Sequence, residues 1–243
     1  MPARALLVLD TATETMHLGV QNGARVLVRE EAGGALASAA LLPSILSLLR
    51  EAGLAPAQLT AIATGRGPGA FTGVRTACSV AQGLAFGAGV PVIAIDTLLA
   101  IAQDALAQGA SPRIWAMQDA RMGEIYAGFY EFAGGAWRVV SAPALYAPEV
   151  LREHIARAPS GVTLAGNALS PFGDVFAPLS LPSMPQAQPR AAALLSLANA
   201  ACDRAEFEDA AAAVPLYVRD KVALTTEERD AQRAAATTSS RTQ

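Results

Sequence analysis

The chain has 243 residues, of which 52% are hydrophobic and 16% are charged, and its formal net charge at pH 7 is −3. This length allows one large domain or two modest ones around a buried core. Lys221 is the single lysine, and the arginines are scattered along the chain. The sequence therefore lacks the cluster of cations with which an independent nucleic-acid binder neutralises phosphates.

The apolar segments are too short to cross a membrane, which requires about 18 consecutive apolar residues. The apolar start of the chain is also too short for a signal peptide and continues directly into a strand pattern. Cys78 and Cys202 are far apart and belong to helical patterns. We therefore expect a cytoplasmic protein with no membrane partner. The low charge content has two explanations that stay open: an alanine-rich composition, or an apolar surface covered by another subunit.

The first half of the chain predicts three strands followed by alternating helices and strands. Asn22-Gly23 is a strong hairpin signal between the second and third strands, and Gly53 fits a helix C-cap. We predict strands at 6–10, 18–21, 25–31, 61–64 and 91–96, and helices at 36–52, 74–88 and 98–106.

The second half repeats this order in a shorter form. We predict strands at 113–120, 124–132, 137–140 and 162–165, helices at 148–157 and 190–204, and an extended segment at 215–219. The fold class is therefore α/β, with two tandem ribonuclease-H-like domains of the actin-like ATPase superfamily, mixed sheets and a smaller second domain. The expected division is residues 1–108, completed by the late helix at 190–204, then 109–223, and a flexible tail at 224–243.

A glycine-rich segment, Gly65-Arg66-Gly67-Pro68-Gly69-Ala70-Phe71-Thr72-Gly73, joins the fourth strand to the second helix. It lacks the lysine of a phosphate-binding P-loop, and Ala70 stands where a dinucleotide-binding fingerprint needs its third glycine. We favour a structural loop, in which Gly65, Gly67, Gly69 and Gly73 allow tight turns, over direct phosphate binding.

Asp10 ends the first strand, and Thr11 and Thr13 follow it. An acidic residue at this place holds Mg²⁺ indirectly in actin-like ATPases, so these three residues form a candidate nucleotide-facing vestige; the alternative is a plain turn. His17 and His154 lie in different halves, so the sequence predicts no metal site and no catalytic residues.

The segment Asp119-Ala120-Arg121-Met122-Gly123-Glu124-Ile125-Tyr126 is the densest polar group of the second half. It predicts a hairpin turn in which Arg121 pairs with Asp119 or Glu124. A contact between the two domains at their cleft is the alternative.

Helical periodicity predicts a core face and a second face on each of the first two helices. In the second helix, Val74, Ala77, Ala81, Leu84 and Ala88 form the core face. In the first helix, Leu42, Ile45, Leu46 and Leu49 form the predicted core stripe. The remaining faces predict a helix-bundle interface with a partner, made by Ala37, Leu41, Ser44, Leu48, Arg75, Ser79, Gln82 and Phe86. Burial of these faces by the chain's own second domain is the alternative.

Several motifs in this order resemble the TsaB (YeaZ) family. They are Leu9-Asp10-Thr11-Ala12-Thr13, Leu41-Leu42-Pro43, the glycine-rich segment through Arg75, Gly83-Leu84-Ala85, Asp119-Ala120-Arg121-Met122, Gly166-Asn167 and Pro215-Leu216-Tyr217-Val218-Arg219. The glycine-rich segment with its Phe-Thr-Gly ending is the most specific of them. Relatives carry a histidine in the first-helix motif where this chain has Ala37. We therefore assign no role of that histidine to this chain.

The resemblance implies a non-catalytic subunit that serves as dimerisation scaffold and activator in bacterial threonylcarbamoyladenosine synthesis, next to the anticodon of tRNA. It implies a TsaD-type catalytic paralogue and a TsaE-type ATPase as partners, with tRNA reached only through the complex. ATP and metal would be used by the partner subunits, and no cofactor would be bound tightly by this chain. Self-pairing when the partner is absent stays open. The alternative function is a stand-alone actin-like ATPase or small-molecule kinase that uses Asp10.

Overall fold

Two five-stranded mixed sheets form the framework of the computed structural model, which describes residues 4–34 and 37–219. The sheet of the first half contains β1 (Ala5–Asp10), β2 (Thr15–Asn22), β3 (Arg25–Ala32), β4 (Ala61–Gly65) and β5 (Val92–Ile95). The sheet of the second half contains β6 (Arg113–Arg121), β7 (Glu124–Ala133), β8 (Ala136–Tyr146), β9 (Val162–Ala165) and β10 (Ser183–Met184). The helices are α1 (Ala37–Ala52), α2 (Phe71–Ala88), α3 (Thr97–Ala107), α4 (Pro148–Ala156), α5 (Leu169–Phe176) and α6 (Ala191–Asp203).

Both sheets have the same topology. The strand order is β3-β2-β1-β4-β5 in the first sheet and β8-β7-β6-β9-β10 in the second. In each sheet the first three strands are antiparallel neighbours, and the fourth strand pairs in parallel with the first. This repetition confirms the predicted fold class of two tandem ribonuclease-H-like units.

The central strand β1 is buried along its whole length, because helices cover both faces of the first sheet. Leu7 and Leu9 point to one face, where they pack in one cluster with α1 and α2. Leu6 and Val8 point to the opposite face, where they pack against α6.

The helices α3 and α6 are exchanged between the two halves. Helix α6 belongs to the second half of the chain, yet its Leu194 and Ala198 pack on the first sheet. Helix α3 belongs to the first half, yet its Leu98 and Ile101 pack in a cluster with Ile114 of the second sheet. Each half supplies a helix that covers the other half's sheet. The two domains therefore cannot be separated at a single position in the chain. The division at residue 108 stays a prediction.

The predicted order of elements agrees with the structure, with five main differences. Strand β2 starts three residues earlier than expected, at Thr15. Helix α2 starts three residues earlier than expected, at Phe71, and β8 continues to Tyr146. Helix α5 and the short strand β10 were not predicted. The proposed tail at 224–243 lies outside the described residues. No helix in the described part has both the length and the hydropathy needed to cross a membrane.

Candidate functional site

The glycine-rich segment lets backbone and buried side chains approach each other closely where β4 leads into α2. A Cβ atom at Gly73 would lie 1.9 Å from the carbonyl oxygen of Thr11, and one at Gly65 would lie 1.8 Å from Asp10 Oδ2. Gly67 has a φ of +94°, which other residues rarely adopt. The glycines therefore seat the first turn of α2 on the β1–β2 turn, as the structural interpretation of this loop expects.

Asp10 is completely buried at the end of β1. Its Oδ1 accepts a hydrogen bond from the Ala12 backbone N–H at 2.7 Å, and its Oδ2 accepts one from Thr97 Oγ1 at 2.7 Å. Burial disfavours the charged form and raises the pKa of the carboxyl to about 6, although the two hydrogen bonds act in the opposite direction. Both oxygens are thus engaged within the chain.

Of the three residues predicted to face a nucleotide, only Thr13 lines the cavity beside the β1–β2 turn. Thr11 is buried, and its hydroxyl donates to the Gly73 carbonyl at 2.6 Å. Asp10 and Thr11 are absent from the cavity lining. Asp10 and Thr11 instead fit the alternative of a plain turn, because Asp10 accepts a hydrogen bond from the backbone N–H of Ala12, and Gly65 of β4 and Gly73 of α2 pack closely against the two residues.

This cavity of about 300 Å³ lies in the cleft between the two halves. Three parts of the chain meet around it: the β1–β2 turn with the start of α2, the β6–β7 hairpin with Asn167, and the C-terminal segment 215–219. Its lining residues are Ala12, Thr13, Glu14, Pro68, Gly69, Ala70, Phe71, Val74, Gln118, Asp119, Ala120, Arg121, Tyr126, Asn167, Pro215, Leu216, Tyr217, Val218 and Arg219.

The β6–β7 hairpin satisfies both interpretations that its sequence allowed. Arg121 lies 3.4 Å from Asp119 within the turn, and its Nη2 also lies 2.7 Å from Glu14 Oε1 of the first half. Gln118 Nε2 donates to the Ala12 carbonyl across the cleft at 2.9 Å. The Gln118 amide is buried, and its Oε1 has no hydrogen-bond partner in the described part of the chain. The hairpin is therefore both a turn and a contact between the halves.

The C-terminal segment crosses the mouth of the cleft and is fixed to both halves. Leu216 N–H donates to the Arg66 carbonyl at 2.8 Å, and the Tyr217 hydroxyl accepts from Arg75 Nε at 2.7 Å. Arg219 Nη2 donates to Glu124 Oε2 at 2.8 Å and to the Ala120 carbonyl at 3.0 Å. The sequence indicated an extended segment here but gave no sign of its anchoring partners.

The two histidines do not come together. His17 is buried on β2, and burial lowers the pKa of its ring, although the nearby Glu30 carboxylate opposes this shift. His154 lies in the last turn of α4, in the other half. In residues 4–34 and 37–219, no group of three or more His, Cys, Asp or Glu side chains is placed to hold a metal ion.

The faces of α2 follow the predicted periodicity in part, since Leu84 and Ala88 of the predicted core face are only half-buried. Val74, Ala77 and Ala81 are buried, and Arg75, Ser79 and Phe86 are exposed. Among the large apolar side chains that the structure describes, Phe86 is the most exposed, at 86%. Gln82 is half-buried, and its Nε2 donates to the Ala211 carbonyl at 3.2 Å.

The prediction for the faces of α1 is only partly correct. Ile45 and Leu49 are buried in the core as predicted, whereas six other positions differ from the prediction. Ala37, Leu41 and Leu48 were expected to contact a partner but are buried in the chain's own core. Ser44 is half-buried and donates to Glu31 Oε2 at 2.6 Å. The prediction of these four residues as partner contacts is therefore corrected, because they face the first sheet or its edge strand.

Leu42 and Leu46, expected in the core, are exposed at 41% and 38%. A signal for this was available in the sequence. Leu42, Leu46 and the charged Arg50 follow one another at a spacing of four, so they lie on one side of the helix, and Arg50 marks that side as solvent-facing.

Helices α1 and α2 lie side by side on the same face of the first sheet, and both belong to one core cluster. Their outer surfaces together present apolar side chains to solvent. We call this surface the helix-pair face and define it by Leu42, Leu46, Phe71, Arg75, Ser79 and Phe86.

Comparisons with known proteins point to one group. Residues 34–236 match the family model described as "TsaD: tRNA N6-adenosine threonylcarbamoyltransferase". The chain is 36% identical over 151 residues to a protein of Escherichia coli named tRNA threonylcarbamoyladenosine biosynthesis protein TsaB, covering 62% of this chain and 65% of the relative. It is 42% identical over 121 residues to the Haemophilus influenzae protein of the same name, covering 50% of this chain and 51% of the relative. These alignments thus span less than two thirds of either relative.

A solved structure extends the similarity to nearly the whole chain. The structure titled YeaZ from Pseudomonas aeruginosa matches with a TM-score of 0.76 and 36% identity, covering 88% of this chain and 99% of that one. The two tandem sheets, the glycine-rich joint and these matches agree with one another. The chain belongs to the TsaB (YeaZ) family.

Proposed function

We propose that this chain is a non-catalytic, partner-binding subunit in the synthesis of threonylcarbamoyladenosine in tRNA. In this proposal the helix-pair face docks on a TsaD-type catalytic paralogue and activates it. The names of the TsaB relatives support a part in this pathway. The match to a TsaD family model supports a partner with a related fold.

The observation that carries the proposal is the apolar surface of the helix-pair face. Phe86 is 86% exposed, and Leu42 and Leu46 add exposed aliphatic surface on the neighbouring helix. A large apolar side chain contributes about 1.5–3 kcal/mol when it is fully buried. Aromatic anchors surrounded by smaller and polar residues are typical of protein interfaces. We infer that a partner helix pair packs here.

The environment of Asp10 supports a non-catalytic role. The residue that would hold a metal-bound nucleotide in an actin-like ATPase is completely buried here, and both of its oxygens accept hydrogen bonds from the chain. This arrangement disfavours the alternative of a stand-alone ATPase or kinase. In our proposal ATP and metal are used by the partner subunits, a TsaE-type ATPase joins the assembled pair, and tRNA is reached only through the complex.

The central experiment is co-purification of the full chain with the TsaD-type paralogue of the same organism, for wild type and two variants. Leu46→Asp and Phe86→Asp each place a carboxylate on the helix-pair face, at positions that are exposed in the isolated chain. We expect both variants to fold and to lose the partner. A reconstituted tRNA-modification assay should show loss of activity in parallel.

A matched control is Val150→Asp, because Val150 is 48% exposed on α4 in the second half. This variant carries the same type of change on a different helix and should keep the partner. If Leu46→Asp and Phe86→Asp co-purify with the paralogue as wild type does, the helix-pair face is not the docking surface. ATP hydrolysis by the isolated chain that Asp10→Ala abolishes would favour the enzymatic alternative.

A further inference from the structure

Arg75 is held in a fixed position on the helix-pair face, although it is exposed. Its guanidinium carbon lies 3.7 Å from the centroid of the Phe71 ring and 5.4 Å from that of Tyr217. Its Nε donates to the Tyr217 hydroxyl at 2.7 Å. The two ring centroids are 6.1 Å apart, so the guanidinium packs over the Phe71 ring and beside the Tyr217 ring. These contacts reduce the conformational freedom that Arg75 would lose on binding.

The segment that supplies Tyr217 is itself anchored on both sides. The backbone N–H of Leu216 donates a hydrogen bond to the Arg66 carbonyl of the glycine-rich segment. The Arg219 guanidinium forms an ion pair with Glu124 of the second half. Since these contacts fix the backbone on either side of Tyr217, its ring is a stable support for Arg75.

Within the described part of the chain, no acidic side chain pairs with Arg75. Among the ion pairs of residues 4–34 and 37–219, none includes Arg75. Its Nη1 and Nη2 groups form a fork that matches a carboxylate in two parallel hydrogen bonds.

A second copy of this chain offers no matching carboxylate from its own α1 and α2. Helix α2 contains no Asp or Glu, and α1 contains Glu51 alone, which already pairs with Arg29 at 3.1 Å. In a two-fold symmetric dimer this same surface faces itself, so both copies of Arg75 would lose water without gaining an acidic partner from α1 or α2.

We propose that Arg75 is a carboxylate receptor that selects a partner with an acidic side chain on its docking helices over a second copy of this chain. Phe71 and Tyr217 are positioning residues that orient the receptor. This inference rests on the proposed function, because it names the chemistry of the partner that binds the helix-pair face.

The test compares two associations of the full chain: self-association by analytical ultracentrifugation, and binding to the TsaD-type paralogue by calorimetry in low and high salt. For Arg75→Gln we expect about tenfold weaker paralogue binding at low salt, the value for one charged hydrogen-bonded contact. The salt dependence of binding should also decrease, because an ion pair has been removed. Self-association should not weaken.

Tyr217→Phe keeps the ring but removes the hydroxyl that accepts from Arg75, so we expect a loss of about threefold. The control Arg157→Gln removes an exposed arginine from the end of α4, in the second half of the chain, and should leave both associations unchanged. Thermal melting of each variant verifies that it folds.

The outcomes separate this inference from the function on which it rests. If Arg75→Gln binds the paralogue as wild type does while Leu46→Asp does not, Arg75 is no receptor and the docking surface stands. If Leu46→Asp and Phe86→Asp also bind as wild type does, the proposed docking through the helix-pair face is wrong. If Arg75→Gln weakens self-association by the same factor as paralogue binding, the selection for an acidic partner is refuted.

Discussion

Replacing Gly73 by alanine tests the idea that the glycine-rich segment acts through close backbone approach. The new Cβ would lie 1.9 Å from the carbonyl oxygen of Thr11, which belongs to the backbone and cannot rotate away. The β1–β2 turn and the start of α2 must therefore separate by roughly 1.5 Å to restore ordinary van der Waals contact.

The expected loss of stability has two parts. Forcing an extra carbon into a packed site costs about 1–3 kcal/mol. The separation also breaks the buried hydrogen bond from Thr11 Oγ1 to the Gly73 carbonyl, which is 2.6 Å long, and such a bond contributes about 0.5–1.5 kcal/mol. Together these give a decrease of about 2–4 kcal/mol in the free energy of unfolding, or roughly 4–16 °C in Tm for a chain of this size.

Gly83 is a control within the same helix. A Cβ atom there would meet nothing within 4 Å, and the residue is exposed. Gly83→Ala should stabilise the chain by about 0.5–1 kcal/mol, because alanine is the better helix former. Thermal and urea unfolding of both variants, followed by circular dichroism, shows whether each substitution raises or lowers the free energy of unfolding. If Gly73→Ala melts at or above the wild-type temperature, the close approach of α2 to β1 is not what these glycines provide.

Three further predictions follow from buried positions. Because burial raises the pKa of Asp10 to about 6, from an ordinary value of 3.8, wild type should lose stability as pH rises from about 4 to 6. The rise in pKa corresponds to about 3 kcal/mol, so Asp10→Asn should be more stable than wild type by about this amount at pH 7 and by little at pH 4. Equal differences at both pH values would contradict this. Leu41→Asp should unfold the chain, as judged by circular dichroism, whereas Leu46→Asp should not, because Leu41 is buried and Leu46 is exposed. Leu194→Ala, in α6, should lower the free energy of unfolding by about 2–5 kcal/mol, and a loss below 1 kcal/mol would argue against α6 as the cover of the first sheet.

The order of strands and helices could be predicted because each signal was local. Asn22-Gly23 marks the β2–β3 hairpin, and Gly53 follows the end of α1 with a φ of +71°. Helix α5 was missed because Pro171 and Gly173 interrupt its short sequence with two poor helix formers. Strand β8 was predicted too short, since Pro143 lies in a strand at the edge of its sheet, where the missing N–H is tolerated.

The candidate site was harder to predict, because it depends on whether each helix face packs on the sheet or is exposed to solvent. The apolar stripe of α1 is wide, and its periodicity does not tell which edge of the stripe meets the sheet. Leu41 and Leu46 were therefore exchanged between core and surface. The anchoring of Arg75 by Tyr217 joins residues 142 positions apart, and no local pattern encodes such a contact.

The exchange of α3 and α6 has a consequence for synthesis on the ribosome. The last strand of the first sheet ends at Ile95, whereas the helix that covers one face of that sheet begins at Ala191 and ends at Asp203. At ordinary translation rates this interval lasts roughly 5–20 s. During that time Leu6, Val8 and Ile93 lack the apolar cover that α6 later provides. We therefore expect the nascent first half to bind chaperones until α6 has been made, and the two halves to fold together after that point.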